Sequence, residues 1–377
     1  MFNKLFLLLF LPLKIFSQVI PQPNKVVIVI LENHSYQQII GNSAAPYINM
    51  LADSGALFSD YHALGYTSQP NYIKLFSGSD QGIINNAFPT GTPFTTPNLG
   101  SALRDSGFTF KGYAEDLPYE GAIVSAWGYY LYEHTPWPNW QGLDSLQHQL
   151  DPSANVPFTY FPPDYDSLPT LSFVIPNAIH DMHNGSDPQR ITDCDNWIQD
   201  TLSGYINWCK ANNSLFILTF DEGNSATQNL VPLIIYGPSV VQGLYTDYHD
   251  HYGLLRTLED MFSLGYIGND STAAVIDECW QPVSVPGNNN QFITVSVIPN
   301  PVSSSTGILI NCTDKKKTNV KMVLKDSFGK KIKDFQIEIK NNKGQLRLDN
   351  SGFAKGIYFL SVFINNRFYK TEKIIFE

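Results

Sequence analysis

Positive charge is scarce through most of this chain. Residues 1–292 hold 9 Lys and Arg against 27 Asp and Glu, a net of −18, with no basic stripe of the kind that grips nucleic-acid phosphates. Nucleic-acid binding is therefore not expected, and any phosphate handled here must be held by other means, such as a metal. Cysteine is nearly absent too. Cys194, Cys209, Cys279 and Cys312 fit no zinc-ligand spacing and no cysteine-nucleophile motif. In an exported chain one or two disulfides are open, with three connectivities if all four residues pair. Long apolar runs are missing beyond Leu5–Leu13, which is too short to span a bilayer. With Lys4 before it and Ser17-Gln18 after, that run reads as a secretory signal peptide over residues 1–17. The expectation is an exported protein with no transmembrane segment.

The charge reverses near the C-terminus, where residues 293–377 hold 15 basic against 7 acidic side chains, a net of +8. Such asymmetry predicts two modules. The polar stretch 281–292 (QPVSVPGNNNQF) reads as the linker between a first domain at 18–280 and a second at 293–377. In the first, β-branched or apolar runs predict strands buried on both faces at Lys25–Leu31, Leu171–Ile175, Ser214–Phe220 and Val231–Tyr236. Helical spacing predicts helices over Ala45–Leu57, Asp193–Asn212 and His251–Phe262, and a short strand is expected at Phe108–Tyr113. Strands alternating with helices make this an α/β domain with a mostly parallel sheet flanked by helices. Residues 119–168, dense in Tyr, Trp and Pro, read as a long loop or lid able to form a pocket. Beyond the linker, short alternating strands predict a small all-β sandwich.

Three of the buried strands end in the same chemistry: Glu32-Asn33, then Asp181 with His183, then Asp221-Glu222. Ligands of open α/β sheets bind outside the carboxyl ends of the strands, so these groups would converge. A strand-end acid alone is usually a loop cap or a solvated charge; several like charges at one place require a cation between them. The stretch YTSQPNYIKLFSGS adds Ser68 two residues before Pro70, which predicts a helix starting with Ser68 as its N-cap. A Ser-x-Pro usually does no more than cap. Here the hydroxyl would face unpaired backbone N–H groups, a setting that favours an alkoxide and attracts phosphate. Glu32, Asn33, Ser68, Asp221 and Glu222 make an all-oxygen metal shell suited to Mg, Ca or Mn. Asp181, His183 and His251 make a mixed set that would hold a second ion, with Zn fitting, or contact phosphate directly. His134 is a candidate proton donor to a leaving group; His62, His148, His180 and His249 are weaker candidates.

With these pieces together, the chain resembles the secreted phosphoesterase family of bacterial and fungal acid phosphatases and bacterial phospholipases C, in the alkaline-phosphatase-like superfamily. The matching motifs are VVIVILEN at 26–33 followed by His34-Ser35, Ser68–Tyr72, YAEDLP at 113–118, PNAIHDMHNG at 176–185, FDEG at 220–223 and HYGLLRTLEDMF at 251–262. The resemblance implies an alkaline-phosphatase-like fold, Ser68 as nucleophile, and a divalent metal at Glu32, Asn33, Asp221 and Glu222. It places Asp181, His183, His134 and His251 in the phosphate site or a second metal site. His134 and His251 are then catalytic candidates, and Asn71, Asp181 and His183 substrate-binding ones. Two departures stand out: Tyr66-Thr67 where relatives carry His-Pro, and Glu133 where they carry a lysine. The last segment is similar to the C-terminal sorting domain of type IX secretion through Pro299-Asn300-Pro301, Gly329-Lys330-Lys331, Gly356-Ile357-Tyr358 and Lys373-Ile374-Ile375. The implied partners are that secretion machinery and a small phosphate ester or phospholipid headgroup.

The expected activity is metal-dependent hydrolysis of phosphate monoesters through a phosphoserine, secreted or at the cell surface. The rivals are a phospholipase C or phosphodiesterase, a phosphoinositide phosphatase and, from another class, a non-catalytic surface-binding protein. A sulfatase is disfavoured because Tyr72 stands where sulfatases resembling this motif carry arginine.

Overall fold

The computed structural model describes residues 20–281, 293–312, 319–326, 330–339, 343–364 and 367–377. The expected leader at 1–17 and the linker beyond Gln281 lie outside the described residues. The chain divides into two compact units, Met1–Pro282 and Val283–Glu377.

In the first unit the run VVIVIL becomes β1 (Val26–Leu31), completely buried, as its lack of polar alternation predicts. The sheet also contains β2 (Ala56–Phe58), β3 (Phe110–Ala114), β4 (Asn155–Pro157), β5 (Leu171–Ile175), β6 (Leu215–Phe220), β7 (Leu233–Tyr236) and β8 (Gly243–Tyr245). Their spatial order is β8-β2-β7-β6-β1-β5-β3-β4. β1 pairs in parallel with both β5 and β6, and β3 does so with β4 and β5. Only β7 runs against its neighbours β6 and β2. The sheet is thus mostly parallel, and its central strands deliver their carboxyl ends to one rim.

The helices of this unit include α1 (Pro46–Ser54), α2 (Ser68–Ser77), α3 (Leu99–Asp105), α4 (Gln189–Ala211) and α5 (His251–Phe262). α1 stops at Ser54, short of the expected end, because Ala56–Phe58 pairs with β7 and β8 as a strand. α2 starts one position earlier than its chemistry suggests. Thr67 is the N-cap and Ser68 the first helical residue, so the Ser68 hydroxyl does not cap and is free to reach sideways. The helix ends at Gly78, whose φ of 66° and proximity to the Ile267 carbonyl, 1.9 Å from where a Cβ would stand, leave room only for glycine. Residues 119–168 hold a small hairpin (Ala126–Trp127 with Tyr130–Leu131), several 3-10 turns and β4. Cys194, Cys209 and Cys279 are buried free thiols, so no disulfide forms among them.

The second unit is all-β. Ile293–Ile298, Ser305–Cys312 and Lys343–Asp349 make a three-stranded sheet; Lys331–Glu338, Asn319–Asp326, Gly356–Ile364 and Arg367–Phe376 make a four-stranded one. All the strand pairings within these two sheets are antiparallel. Ile308, Ile310 and Leu348 of one sheet and Val320, Met322, Leu360 and Ile374 of the other share one apolar cluster, the arrangement of a sandwich.

Candidate active site

Glu32 leaves the end of β1 fully buried, in a place where a lone carboxylate is costly unless its oxygens are used. They are. Oε1 accepts from the Tyr72 hydroxyl at 2.7 Å; Oε2 accepts from the Ser68 hydroxyl at 3.1 Å and from the Asn33 side-chain amide at 2.7 Å. Ser68 and Tyr72 lie four residues apart on α2 and so share a helix face, which is why both reach the same carboxylate. Asn33 takes a left-handed φ of 56°, and this turn aims its backbone N–H at Asp221 Oδ1, 3.0 Å away. Asp221 leaves β6, the neighbour of β1, and its carboxylate also interacts with the Ser68 hydroxyl. One serine hydroxyl therefore sits between two buried acids carried by adjacent strands.

The third strand end contributes differently from the sequence expectation. Asp181 lies beyond β5, and both its carboxylate oxygens are occupied by protein donors. His134 Nδ1 donates to Oδ2 at 2.8 Å and the His183 backbone N–H to Oδ1 at 2.7 Å. Asp181 thus orients His134, and it leaves His134 Nε2 as a buried ring nitrogen with no hydrogen-bond partner, 3.4 Å from Glu32 Oε1. Tyr72 stacks on the same imidazole with ring centroids 5.7 Å apart, fixing its plane. The nitrogen-oxygen group that converges is Glu32, His134 and His183, with ligand atoms within 4.8 Å of one another. The expected set of Asp181, His183 and His251 is not assembled.

His251 stands behind the site. Its Nδ1 accepts from the Tyr61 hydroxyl at 2.8 Å and its Nε2 donates to the Asp221 carbonyl at 2.9 Å. Burial pushes its pKa down to about 4, so the ring is neutral and fully engaged. It braces the backbone of Asp221, and its geometry does not suit the proton donor that the sequence suggests. Asn71 lies one turn beyond Ser68; its amide nitrogen donates to the Gly65 carbonyl at 2.9 Å and its Oδ1 is buried without a partner. The weaker candidates are held elsewhere: His62 by Asp60, His180 by Glu115 and His249 by Glu278.

The electrostatics are those of a site short of positive charge. Burial, then Asp221 and Asp181, hold the Glu32 carboxyl well above the usual range. Burial raises Asp221 to about 6, and burial followed by the Asp221 charge raises Glu222 to about 8. For His134, burial opposes charging, but the Asp181 carboxylate, helped by Asp221 and Glu133, outweighs it and raises the imidazole. Asp221 Oδ2 and Glu222 Oε2 are buried acceptors with no donor. Buried carboxylate oxygens without donors suit a divalent cation, which would satisfy them and relieve the repulsion. Among the described residues, however, the acid-histidine group whose ligand atoms converge, Glu32, His134 and His183, includes neither Asp221 nor Glu222.

Tyr72, which bonds Glu32 and stacks on His134, is a member of the cluster that sequence pattern does not single out. Its four-residue offset from Ser68, one helical turn, is the local signal for it.

Residues 42–265 match the model of the Phosphoesterase family, and residues 296–377 match that of the secretion system C-terminal sorting domain. The chain is 41% identical over 266 residues to a phosphatidylinositol-3-phosphatase of Mycobacterium tuberculosis, covering 70% of this chain and 85% of that protein. It is 27% identical to a phosphate-repressible acid phosphatase of Penicillium chrysogenum, covering 59% of this chain and 55% of that one, so it spans about half the fungal protein's length. Among solved structures, a Vibrio parahaemolyticus protein of the alkaline phosphatase superfamily aligns with a TM-score of 0.49 at 10% identity, over 89% of this chain and 85% of that chain.

Proposed function

Because the chain belongs to the phosphoesterase family, hydrolases acting on phosphate esters, we propose that it is a metal-dependent phosphomonoesterase using Ser68 as nucleophile. The sorting domain at 296–377 marks it for export to the medium or the cell surface, and among the described residues no helix is long and apolar enough to cross a membrane. The observation that carries the catalytic reading is the Ser68 hydroxyl set between the carboxylates of Glu32 and Asp221.

Glu32, Asp221 and Glu222 would hold the cation, with the Ser68 oxygen completing its shell. When bound, a divalent cation lowers the pKa of a serine hydroxyl and neutralises charge on the phosphate. Glu32 Oε2, the acceptor of the Ser68 hydrogen bond, is placed to take the proton as Oγ attacks phosphorus. The bond from phosphorus to the alcohol oxygen breaks in line, and His134 Nε2 is placed to protonate that oxygen, with Asp181 holding the ring. Water then cleaves the phosphoserine, and configuration at phosphorus is retained overall. A second ion at Glu32, His134 and His183 would occupy Nε2, and the proton would then come from solvent.

A phosphoinositide monophosphate is the second substrate reading, favoured by the 41% identity to the mycobacterial enzyme. Both named relatives are phosphatases, which supports a monoesterase over a diesterase. Ser68→Ala should lower turnover by about three orders of magnitude or more with an unchanged circular dichroism spectrum. Acid-quenched wild type should yield a phosphorylated peptide containing Ser68. Full activity in Ser68→Ala removes Ser68 from the mechanism.

A further inference from the structure

The segment between Gly82 and Gly91 has little holding it. Residues 84–88 are all exposed, Ile84 by 80% and Phe88 by 44%. Among the described residues, every hydrogen bond that leaves residues 84–91 goes to one partner, Gln69. The Gln69 backbone N–H donates to Asn86 Oδ1 at 3.0 Å. Its side-chain amide meets the Asn85 carbonyl at 2.9 Å and the Ala87 carbonyl at 3.0 Å; carbonyls only accept, so the amide nitrogen is the atom that faces them. Gly82 and Gly91 have left-handed φ values of 79° and 80°, and a Cβ on either would meet nothing within 4 Å. The segment is loose at both ends and pinned in its middle.

The pin stands next to the nucleophile. Gln69 follows Ser68 on α2 and is 1% exposed. Its backbone nitrogen is four covalent bonds from Ser68 Oγ, so Asn86 Oδ1 lies within about 8 Å of that oxygen. A phosphorylated phenol whose phosphorus stands about 3 Å from Oγ extends that far. Beyond the pin, Phe88 packs on Tyr132 with ring centroids 4.6 Å apart. Tyr132 opens the 3-10 turn that ends at His134, the group placed to protonate the leaving oxygen. The segment therefore runs from the nucleophile to the chain that carries the proton donor. Between the two glycines it has the sequence IINNAFPT, with no charged residue.

We propose that residues 84–88 form a flap that grips the organic part of the ester, and that Gln69 is the positioning residue that latches it to the nucleophile helix. The proposal rests on the phosphoesterase reading above. Ile84 and the open edge of Phe88 gain by covering an apolar or aromatic alcohol, and gain nothing from bare phosphate. A latch on the residue beside Ser68 keeps that cover in register with the attacking oxygen, the alignment that in-line displacement needs. Without the latch, the two glycines let the segment swing away.

The test uses the purified full chain, with phenyl phosphate as substrate and inorganic phosphate as competitive inhibitor, because phosphate offers the flap no organic part. Phe88→Ala should lower kcat/KM for phenyl phosphate by about ten-fold and leave the inhibition constant of phosphate within about two-fold of wild type. Gln69→Leu keeps the bulk of the side chain but cannot donate. It should give the same split and speed amide hydrogen exchange across residues 83–91 by about ten-fold, with exchange in α2 as in wild type. Losses that fall equally on phenyl phosphate and on inorganic phosphate mean a distorted helix and overturn the flap. Wild-type kinetics in Phe88→Ala, or unchanged exchange in Gln69→Leu, overturn it too and leave the phosphatase reading standing. A wild type that hydrolyses no phosphate ester sinks the phosphoesterase reading, and the flap's grip on an ester with it.

Discussion

Replacing Glu259 by glutamine should stabilise the first unit at neutral pH and leave it unchanged near pH 4. Glu259 lies on α5, fully buried, and neither of its carboxylate oxygens receives a hydrogen bond. Its neighbour is Asp270, which accepts from the Ile267 N–H through Oδ2 and leaves Oδ1 equally bare. Burial first, then the contact with Asp270, pushes the Glu259 carboxyl up to about 10 from an ordinary 4.5. A proton on Glu259 resolves the conflict, because the acid then becomes a donor to Asp270. The folded state therefore keeps a proton that the unfolded chain gives up above its own pKa. Stability from that proton is complete below about pH 4.5 and is lost as pH climbs towards the folded value, at about 1.4 kcal/mol per pH unit. Between pH 5 and pH 7 the loss is about 3 kcal/mol. Glutamine cannot ionise, and its amide donates to Asp270 as the protonated acid would, so Glu259→Gln removes this part of the slope. All six tryptophans precede residue 283, so urea titrations followed by tryptophan fluorescence report the first unit alone. The wild-type curve should fall away from the variant's as pH rises from 5 to 7. Two curves that stay parallel over that range refute the shared proton.

Two further outcomes follow from the site. Tyr72→Phe removes the hydroxyl that satisfies Glu32 Oε1 while keeping the ring stacked on His134, so metal affinity measured by competition with a chromogenic chelator should weaken by about ten-fold or more; unchanged affinity would show that Glu32 does not depend on that bond. Dialysis against a chelator should abolish phosphate-ester hydrolysis, and one of Mg, Ca, Mn or Zn should restore it; a full rate in protein shown to be metal-free by elemental analysis removes the cation from the mechanism.

Much of this protein was open to reading along the chain. The buried run at Lys25–Leu31, the helix at His251–Phe262 and the switch to short alternating strands after the linker each follow from local periodicity, and each matches an observed element closely. Glu32 and Asp221 were legible as neighbours because adjacent parallel strands place their carboxyl ends on one rim. What periodicity cannot supply is the partner that arrives from a distant element. His251 looks like an active-site histidine until Tyr61 and the Asp221 carbonyl take both its nitrogens. Asp181 looks like a ligand until His134, from a loop 47 residues earlier, takes one of its oxygens. Glu259 passes for the polar face of an amphipathic helix until Asp270 closes over it. The sequence by itself determined the strands and the acids at their ends, since backbone pattern and strand direction are local properties. Only the tertiary structure decided which of those groups stay bare and which are spoken for, because burial and hydrogen-bond saturation depend on what the rest of the chain brings alongside.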